Sequence, residues 1–175
     1  MFSHLNSALA HGHVALLGLL DLSIAFDTVD HDVLLKRLEI SDVVMCVPLQ
    51  CLKSYLAGWV QTIVINRCRS SAVKFSYGVP QGSLLCPILF VLYTKDVSAI
   101  IRHHGLLSHC DADDTQVYFY CKPDEVDSLA KKCAACSDEL CTWMRSNRLK
   151  LNANKTELFG WQRGSDGRRL QHQIW

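Results

Sequence analysis

The sequence has little net charge and no apolar segment long enough to cross a membrane. Its 18 Lys and Arg residues and 17 Asp and Glu residues leave a formal charge of +1, so composition indicates no general affinity for nucleic acid. The apolar run from Leu84 to Tyr93 is shorter than the roughly 20 residues of a membrane-spanning helix and contains Pro87. Internal repeats, a domain linker and a signal peptide are also lacking, which predicts a single intracellular domain with no membrane partner.

Nine cysteines and eight histidines are present, but neither set has the spacing of a metal site. The cysteines are odd in number and most lie in apolar periodic stretches, which favours reduced thiols that act as small hydrophobic residues. Cys133, Cys136 and Cys141 lack a fourth ligand at suitable spacing, so no structural zinc is expected. His103 and His104 are expected to be solvated at the end of a helix.

The order of predicted elements is typical of an α+β fold, with strands joined both by hairpins and across helices. Val14–Leu20 is continuously apolar, which predicts a strand buried on both faces. Asp30 is placed to cap a following helix. The further predictions are a helix over 46–56 with Gly58 as its stop signal, a hairpin of 62–65 with 72–75 across a polar link at 66–71, a long apolar helix from the 78–83 turn to about Arg102, a helix capped by Asp124 that runs to about Arg145, and two last ordered segments at 149–152 and 156–159.

Two adjacent acids, Asp113 and Asp114, lie between apolar and aromatic stretches, which predicts a strand, an acidic turn and a second strand. Two carboxylates so close together repel each other unless a cation lies between or in front of them. Asp21 ends the apolar run Val14–Leu20, and three carboxylates from separate strands suit a divalent-metal site for phosphoryl chemistry. From these residues alone a plain polar turn for the pair and a capping role for Asp21 remain alternatives.

Two further features accompany the acids. Phe26 follows Asp21 closely enough to form a wall of a shared pocket, although its spacing equally suits a core residue. The turn 78–83 contains Gly78 and Gly82, which permit close backbone approach, and it places Gln81 and Ser83 at a predicted helix start, where anions and phosphates bind favourably. Such turns are common before helices, so this signal is weak on its own.

Four segments follow one another along the chain: Leu19–His31, Gly78–Phe90, Ala112–Gln116 and Asn147–Glu157. In this order and spacing they resemble the palm of reverse transcriptases, in the LINE-type branch of non-LTR retrotransposons. The resemblance runs from about Val14 to Phe159 and implies an antiparallel, ferredoxin-like sheet backed by helices, with fingers and thumb largely missing. We therefore expect an N-terminal remnant over 1–13, the palm over 14–160 and a frayed tail over 161–175.

The resemblance also implies a role for individual residues. Asp21 and Asp113 would hold two magnesium ions, with Asp114 beside them and the backbone of Leu22 contributing an oxygen. Phe26 would lie under the sugar of the incoming nucleotide and exclude a 2′-hydroxyl. The remaining expected contacts are with the nucleotide and template for Gln81, Gly82 and Ser83, and with the triphosphate for Lys155. The implied reaction is RNA-directed DNA synthesis, with an RNA template, a DNA primer and dNTPs as partners.

The chain departs from the family pattern at several positions. Asp111 stands where the family has an aromatic residue, and at two residues before Asp113 it is expected to add negative charge on the same side. Cys86 replaces a usual glycine, and the region around Gln61 lacks the usual arginines. We expect impaired catalysis in the isolated chain and exposed apolar palm surface. The alternatives are a catalytically inactive remnant and a nucleic-acid-binding module.

Overall fold

The computed structural model describes residues 2–40, 46–152, 154–161 and 168–169. Its α-helices are α1 (Phe2–Ala10), α2 (His31–Ile40), α3 (Cys46–Leu56), α4 (Leu85–Tyr93), α5 (Lys95–His103) and α6 (Val126–Ser146). Its strands are β1 (Val14–Leu20), β2 (Val60–Gln61), β3 (Val64–Ile65), β4 (Cys68–Arg69), β5 (Val73–Lys74), β6 (Leu107–Asp111), β7 (Asp114–Cys121), β8 (Glu157–Trp161) and β9 (Arg168–Arg169). Short 3-10 turns lie at Ala25–Thr28 and Pro123–Glu125.

An antiparallel five-stranded sheet forms the centre of the fold, in the order β6-β7-β1-β8-β9. β1 pairs with β7 along its whole length, from Val14 opposite Cys121 to Leu20 opposite Thr115. On its other edge β1 pairs with β8. Helices pack on this sheet, which confirms the predicted α+β class with an antiparallel sheet backed by helices.

The predicted strand Val14–Leu20 is confirmed, and both of its faces are covered. Successive side chains of a strand point to opposite faces of the sheet. Ala15 and Leu17 pack with Leu5 of α1 on one face. Leu20 packs with buried side chains of α5 and α6 on the other face. This two-sided cover explains why the strand has no polar alternation.

A second apolar core lies among α2, α3 and α4. α2 begins directly after Asp30, whose Oδ1 accepts hydrogen bonds from the backbone N–H groups of Asp32 and Val33 at 3.0 and 3.1 Å. The predicted N-cap is therefore confirmed. α3 has the predicted bounds, and Gly58 follows it with a φ of 77°, as is typical of the residue after a helix.

The long apolar helix predicted to reach Arg102 is two helices, α4 and α5, because the chain breaks at Thr94. The Arg37 guanidinium of α2 donates a hydrogen bond to the carbonyl of Tyr93. In an unbroken helix that carbonyl would accept the N–H of Val97, which here donates to the Thr94 carbonyl at 2.9 Å.

In the described part of the chain, no helix is both long enough and apolar enough to cross a membrane.

The strands between α3 and Gly78 pair differently from the prediction. The sequence predicted one hairpin of 62–65 with 72–75, whereas β3 pairs with β4 and β2 pairs with β5. Asn66 and Arg67 form the inner turn with positive φ values of 48° and 68°, the conformation of a two-residue hairpin turn. The predicted polar link therefore contains a strand, because the chain reverses at its first two residues.

α6 begins at Val126, and the prediction that Asp124 caps it is wrong. Asp124 lies inside the 3-10 turn Pro123–Glu125 that precedes the helix. Glu125 makes the local contact instead, its Oε2 accepting the backbone N–H of Lys122 at 3.2 Å. Proline fixes the backbone of the first turn residue, so the chain completes a tight turn before the α-helix starts.

The two ends of the described chain contact the central sheet. Leu5 and Ala8 of α1 are buried, and α1 packs on β1 and β7. At the other end, Arg168–Arg169 pairs with residues 159–160 of β8. The rest of the predicted frayed tail after Trp161 lies outside the described residues.

The α4 helix also shows the exposed apolar surface that the sequence predicted. Leu84, Ile88 and Val91 lie three or four residues apart and are 92%, 55% and 44% exposed. Residues at this spacing share one face of a helix. The opposite face of α4, with Leu89, Phe90 and Tyr93, is buried in the second core.

Burial changes the acidity of two thiols on α6. It raises the pKa of Cys133 from the ordinary value of 9.0 to about 12, with smaller contributions from Cys136 and Cys121. It raises the pKa of Cys136 to about 11, with Glu139 contributing. Both side chains are buried, so each thiol is protonated at neutral pH and packs as a small apolar group.

The free energy of unfolding should fall as the pH rises from 9 towards 12. Below pH 9 both thiols carry their proton in the folded and the unfolded chain. Above pH 9 the unfolded chain releases protons that the folded chain retains, so each added pH unit destabilises the fold by up to about 1.4 kcal/mol per thiol. Urea unfolding at several alkaline pH values measures this slope.

The matched variants for this slope are Cys133→Ala and the exposed-site control Cys51→Ala. Cys133→Ala should lower stability at neutral pH through its cavity and flatten the alkaline slope, whereas Cys51→Ala should retain the wild-type slope. An unchanged slope in Cys133→Ala would contradict the assignment.

Candidate active site

The three acidic residues predicted to act together lie at one edge of the central sheet, where β1 ends and β7 begins. Leu20 of β1 pairs with Thr115 of β7. Asp21 follows Leu20 and Asp114 precedes Thr115, so both acids come next towards the same edge. Asp113 lies in the turn immediately before Asp114. The predicted strand–turn–strand arrangement of this acidic hairpin is confirmed.

Asp111 adds a fourth carboxylate to this edge. It is the last residue of β6 and pairs with Asp114 across the hairpin. Side chains of directly opposite residues lie on the same face of a sheet. The sequence predicted Asp111 beside Asp113 along one strand, but Asp113 lies in the turn. By register, the acidic neighbour of Asp111 is therefore Asp114.

Two residues beside the acids have strained backbones. Ala112, in the acidic turn, has a φ of 51°, and Ile24, three residues after Asp21, has a φ of 54°. A left-handed conformation costs an L-residue roughly 1–2 kcal/mol, and a β-branched residue adopts it rarely. Such strain concentrates at functional sites, where the surrounding structure enforces it.

Asn152 and Lys155 hold Asp21 in place. Asn152 Nδ2 donates to Asp21 Oδ2 at 3.0 Å, and the Asn152 backbone N–H donates to the Asp21 carbonyl at 2.9 Å. Lys155 Nζ lies 3.9 Å from the same Oδ2. Leu22 forms a β-bridge with Leu151 beside these contacts. The predicted residues Asp21, Leu22 and Lys155 thus lie together.

The carboxylates do not form a tight cluster. Among the described residues, the oxygens of Asp21, Asp113 and Asp114 do not all lie within 4.8 Å of one another. Like charges at one edge separate unless a cation draws them together. The donor set consists of carboxylate and backbone oxygens, which are the ligands that magnesium prefers.

The 78–83 turn is held against the segment 26–31 by backbone hydrogen bonds. The N–H of Gly78 donates to the Val29 carbonyl, and the N–H of Val79 donates to the Phe26 carbonyl, both at 2.8 Å. The ring of His31 bonds the Gly78 carbonyl through Nε2 at 2.6 Å. These contacts join the first and second family-like segments.

Gly78 is required by both its conformation and its surroundings. Its φ is 87°, and a Cβ at this position would lie 3.0 Å from both Cα and the carbonyl oxygen of Asp27. We expect Gly78→Ala to lower the free energy of unfolding by about 3 kcal/mol or more, since left-handed strain and a backbone clash add together. Urea unfolding measures the change.

Gly58→Ala is the matched control, because Gly58 has a φ of 77° and open space where a Cβ would lie. It should cost only the conformational part, about 1–2 kcal/mol. Equal losses in Gly58→Ala and Gly78→Ala would show that close approach to Asp27 contributes nothing.

Phe26 is a core residue that follows Asp21 closely in sequence. Asp21 belongs, with Asp111, Asp113 and Asp114, to what we call the acidic edge. It lies in the 3-10 turn after Asp21 and is partly buried against the second core. Its ring meets that of Phe90 edge-to-face, with centroids 5.0 Å apart. The core alternative is therefore confirmed, and the pocket-wall alternative stays a prediction for the part of the ring that remains exposed.

The predicted nucleotide-side residues have defined contacts. Gln81 Nε2 donates to Asp27 Oδ1 at 3.2 Å. Gly82 has a φ of 83° and open space around it. Ser83 Oγ accepts the backbone N–H of Cys86 at 3.1 Å and the hydroxyl of Tyr55 at 3.0 Å. Ser83 therefore caps the start of α4 while Gln81 remains at the surface.

A pocket of about 370 Å³ opens beside this turn. Gln81 and Asp27 form its polar side, and Trp59, Phe75 and Pro80 contribute apolar walls. Pockets that combine apolar walls with a few polar groups are typical of ligand sites. Residues of β2 and Phe75, which follows β5, line the pocket together with the 78–83 turn.

Arg148 joins the fourth family-like segment to the first. Its Nε lies 2.8 Å from Asp30 Oδ2, and its guanidinium lies over the ring of Tyr77, 4.8 Å from the centroid. The Asp30 side chain is only 10% exposed, and its other oxygen caps α2. Through these two contacts, Arg148 holds α2, Tyr77 and the end of α6 in place relative to one another.

Several residues of the site had no assigned role in the sequence argument. Asn152, Asp27 and His31 all lie within the segments that carry the family resemblance, and that position was the available signal. Cys86 was identified only as a departure. Burial raises the pKa of its thiol, with smaller contributions from Asp113 and Asp27, so Cys86 lies where both acids act on it electrostatically.

The sequence of this chain matches a protein family and individual proteins of known type. The model of the reverse transcriptase (RNA-dependent DNA polymerase) family matches residues 2–166. An RNA-directed DNA polymerase from the mobile element jockey of Drosophila funebris is 36% identical over 78 residues, which cover 45% of this chain and 8% of that protein. A probable RNA-directed DNA polymerase from the transposon X-element of Drosophila melanogaster is 29% identical over 141 residues, covering 78% and 15%.

A solved structure shares the fold. The apo telomerase of Candida tropicalis, truncated from its C-terminal domain, superposes with a TM-score of 0.53 at 15% identity, over 94% of this chain and 35% of that one. The chain thus spans only a small part of the relatives it matches. The family match over nearly its whole length, with the acidic hairpin beside Asp21, shows that the chain belongs to the reverse transcriptase family.

Proposed function

We propose that this chain is the palm of an RNA-directed DNA polymerase and extends a DNA primer on an RNA template. The observation that carries the proposal is the register of β7 and β1, which brings Asp21, Asp113 and Asp114 to one edge of the sheet. Under this proposal residues 14–160 form the palm. The segments 1–13 and 161–175 flank the palm.

Membership of the family implies dependence on a divalent metal ion. We assign two magnesium ions to Asp21 and Asp113, with Asp114 beside them and the carbonyl of Leu22 as a further ligand, because carboxylate and backbone oxygens are the ligands that magnesium prefers. When bound, the metal supplies activation of the primer 3′-hydroxyl and charge neutralisation on the nucleotide phosphates. Asn152 orients the Asp21 carboxylate for this role through its 3.0 Å hydrogen bond.

The substrate contacts follow from positions around the acids. Lys155 lies 3.9 Å from Asp21 Oδ2, and we assign its ammonium group to the triphosphate of an incoming dNTP. Phe26 supports the sugar, its ring fixed by Phe90. Gln81 lines the nucleotide and template side, with Gly82 and Ser83 shaping the turn that carries it.

The family also implies binding of a nucleic acid template and primer. The proposal specifies RNA as template and DNA as primer. Lys74 of the exposed strand β5 pairs with Val60, which lines the pocket beside Gln81, and Arg69 lies on the exposed strand β4. Basic side chains there would neutralise backbone phosphates, which predicts that binding weakens as salt rises.

Primer extension tests the proposal. A labelled DNA primer annealed to an RNA template is incubated with the chain, dNTPs and Mg²⁺, and extension is compared with a reaction containing a chelator. We expect template-directed extension that requires the metal. Salt-dependent binding of primer–template without any extension would favour a nucleic-acid-binding module instead.

A second readout does not require the complete polymerase. Mn²⁺ binding, measured by electron paramagnetic resonance, should occur at the acidic edge and weaken in Asp21→Asn. Unchanged Mn²⁺ binding in Asp21→Asn, together with no extension, would overturn the metal assignment.

A further inference from the structure

We propose a second metal site, specific for a transition metal such as zinc, formed by His103, His104 and Glu139. His103 ends α5, His104 follows it, and Glu139 lies on α6. One ligand atom from each residue lies within 4.8 Å of the other two. The sequence predicted solvated histidines without a ligand pattern, and it missed this site because Glu139 is far away along the chain.

The distances are close to those of a metal-bound set. His104 Nε2 lies 2.7 Å from Glu139 Oε2, and His103 Nδ1 lies 3.8 Å from the same oxygen. Zinc binds nitrogen and oxygen at about 2.0–2.2 Å, so two ligand atoms at a tetrahedral centre lie about 3.4 Å apart. The shorter contact would lengthen by about 0.7 Å and the longer one would shorten by about 0.4 Å to reach this spacing.

The burial of the three groups suits a site that is anchored on one side and open on the other. The side chain of His104 is only 16% exposed, whereas those of Glu139 and His103 are 46% and 76% exposed. The prediction of solvation is therefore wrong for His104, whose ring contacts Glu139 of α6 and the ring of His103. The open side leaves room for metal entry and for water as a fourth ligand, as in other sites with two histidines and a glutamate.

A single hydrogen bond between helices would need only one of the two imidazoles. Here two consecutive rings, with centroids 5.2 Å apart, approach the same carboxylate oxygen. They lie at the C-terminal end of α5, where the helix dipole favours positive charge. Imidazole nitrogens select zinc or related transition metals over magnesium, which distinguishes this site from the all-oxygen acidic edge.

The site would join α5 to α6 at the point where the chain turns into β6. β6 spans five residues between this turn and the acidic hairpin, roughly 17 Å at the usual rise per residue. The two metal sites are thus separate, and this inference does not depend on the proposed function. A metal bound only by the folded chain stabilises it by mass action.

Zinc titration by calorimetry, with excess Mg²⁺ and a reducing agent present, tests the site. Wild-type protein should bind one zinc ion. The affinity for zinc should fall at least about tenfold in His103→Gln and in Glu139→Gln. Zinc at about 100 times its Kd should raise the Tm of wild type by roughly 5–10 °C, and the variants should lose most of that shift.

The variants separate metal binding from simple packing. His103 is mostly exposed, so His103→Gln should leave the metal-free Tm almost unchanged. Glu139→Gln retains an amide oxygen that accepts the His104 hydrogen bond. His4→Gln, at an exposed position on α1, is the control and should bind zinc like wild type. Wild-type zinc affinity in His103→Gln and Glu139→Gln would overturn the proposal and leave only a hydrogen bond between α5 and α6.

Discussion

Primer extension should fall at least about 100-fold in Asp113→Asn. Asparagine keeps the size of the side chain in the acidic turn but removes the negative charge that a hard divalent cation requires. Loss of one preorganised electrostatic group in an active site typically costs this much or more. Single-nucleotide incorporation on an RNA template, measured at saturating Mg²⁺, gives the ratio of rates.

Asp127→Asn is the charge-matched control for Asp113→Asn. Asp127 is exposed in the first turn of α6, and its substitution should leave incorporation unchanged. Both variants should unfold at nearly the wild-type temperature, which separates a catalytic effect from a folding defect. Equal incorporation by wild type and Asp113→Asn would mean that the activity comes from a contaminant.

Asp111→Tyr should raise the incorporation rate by roughly 10- to 100-fold. Asp111 pairs with Asp114 across the hairpin, so its carboxylate adds negative charge beside a proposed metal ligand. Tyrosine would remove that charge and supply an aromatic surface, and base–aromatic stacking contributes about 1–3 kcal/mol. The same single-nucleotide assay measures the gain.

Asp111→Asn separates the two effects, since it removes the charge without adding a ring. Asp111→Asn should show part of the rate increase of Asp111→Tyr, because it removes negative charge beside the proposed metal ligands. Incorporation by Asp111→Tyr that does not exceed wild type would show that Asp111 is not what limits this chain. Asp111→Tyr combined with Asp113→Asn should be inactive, which ties any gain to the acidic turn.

Features that depend on neighbouring residues were predictable. β1 follows from an unbroken apolar run, and α2 follows from a capping Asp30 before leucines at helical spacing. The acidic hairpin follows from two apolar stretches around Asp113 and Asp114. In each case the free energy that forms the element comes from the local pattern and from burial of one continuous surface.

Features that depend on distant partners were not predictable. At the break between α4 and α5, the Tyr93 carbonyl accepts a hydrogen bond from Arg37, which lies 56 residues earlier. The short strands between α3 and Gly78 pair as the Asn66–Arg67 turn directs, although their composition suited another register. The hydrogen bond of the His104 ring is with Glu139, 35 residues away. Periodicity and propensity contain no information about such contacts.

The sequence by itself determined the family, the fold class and the acids to examine, because motif order and hydrophobic pattern are properties of the linear chain. The tertiary structure alone decided how those acids are held. Asn152 and Lys155 contact Asp21, Asp111 lies opposite Asp114, and Gly78 approaches the backbone of Asp27. These relations are set by strand register and by packing between segments, and both depend on distances in space that spacing along the chain does not specify.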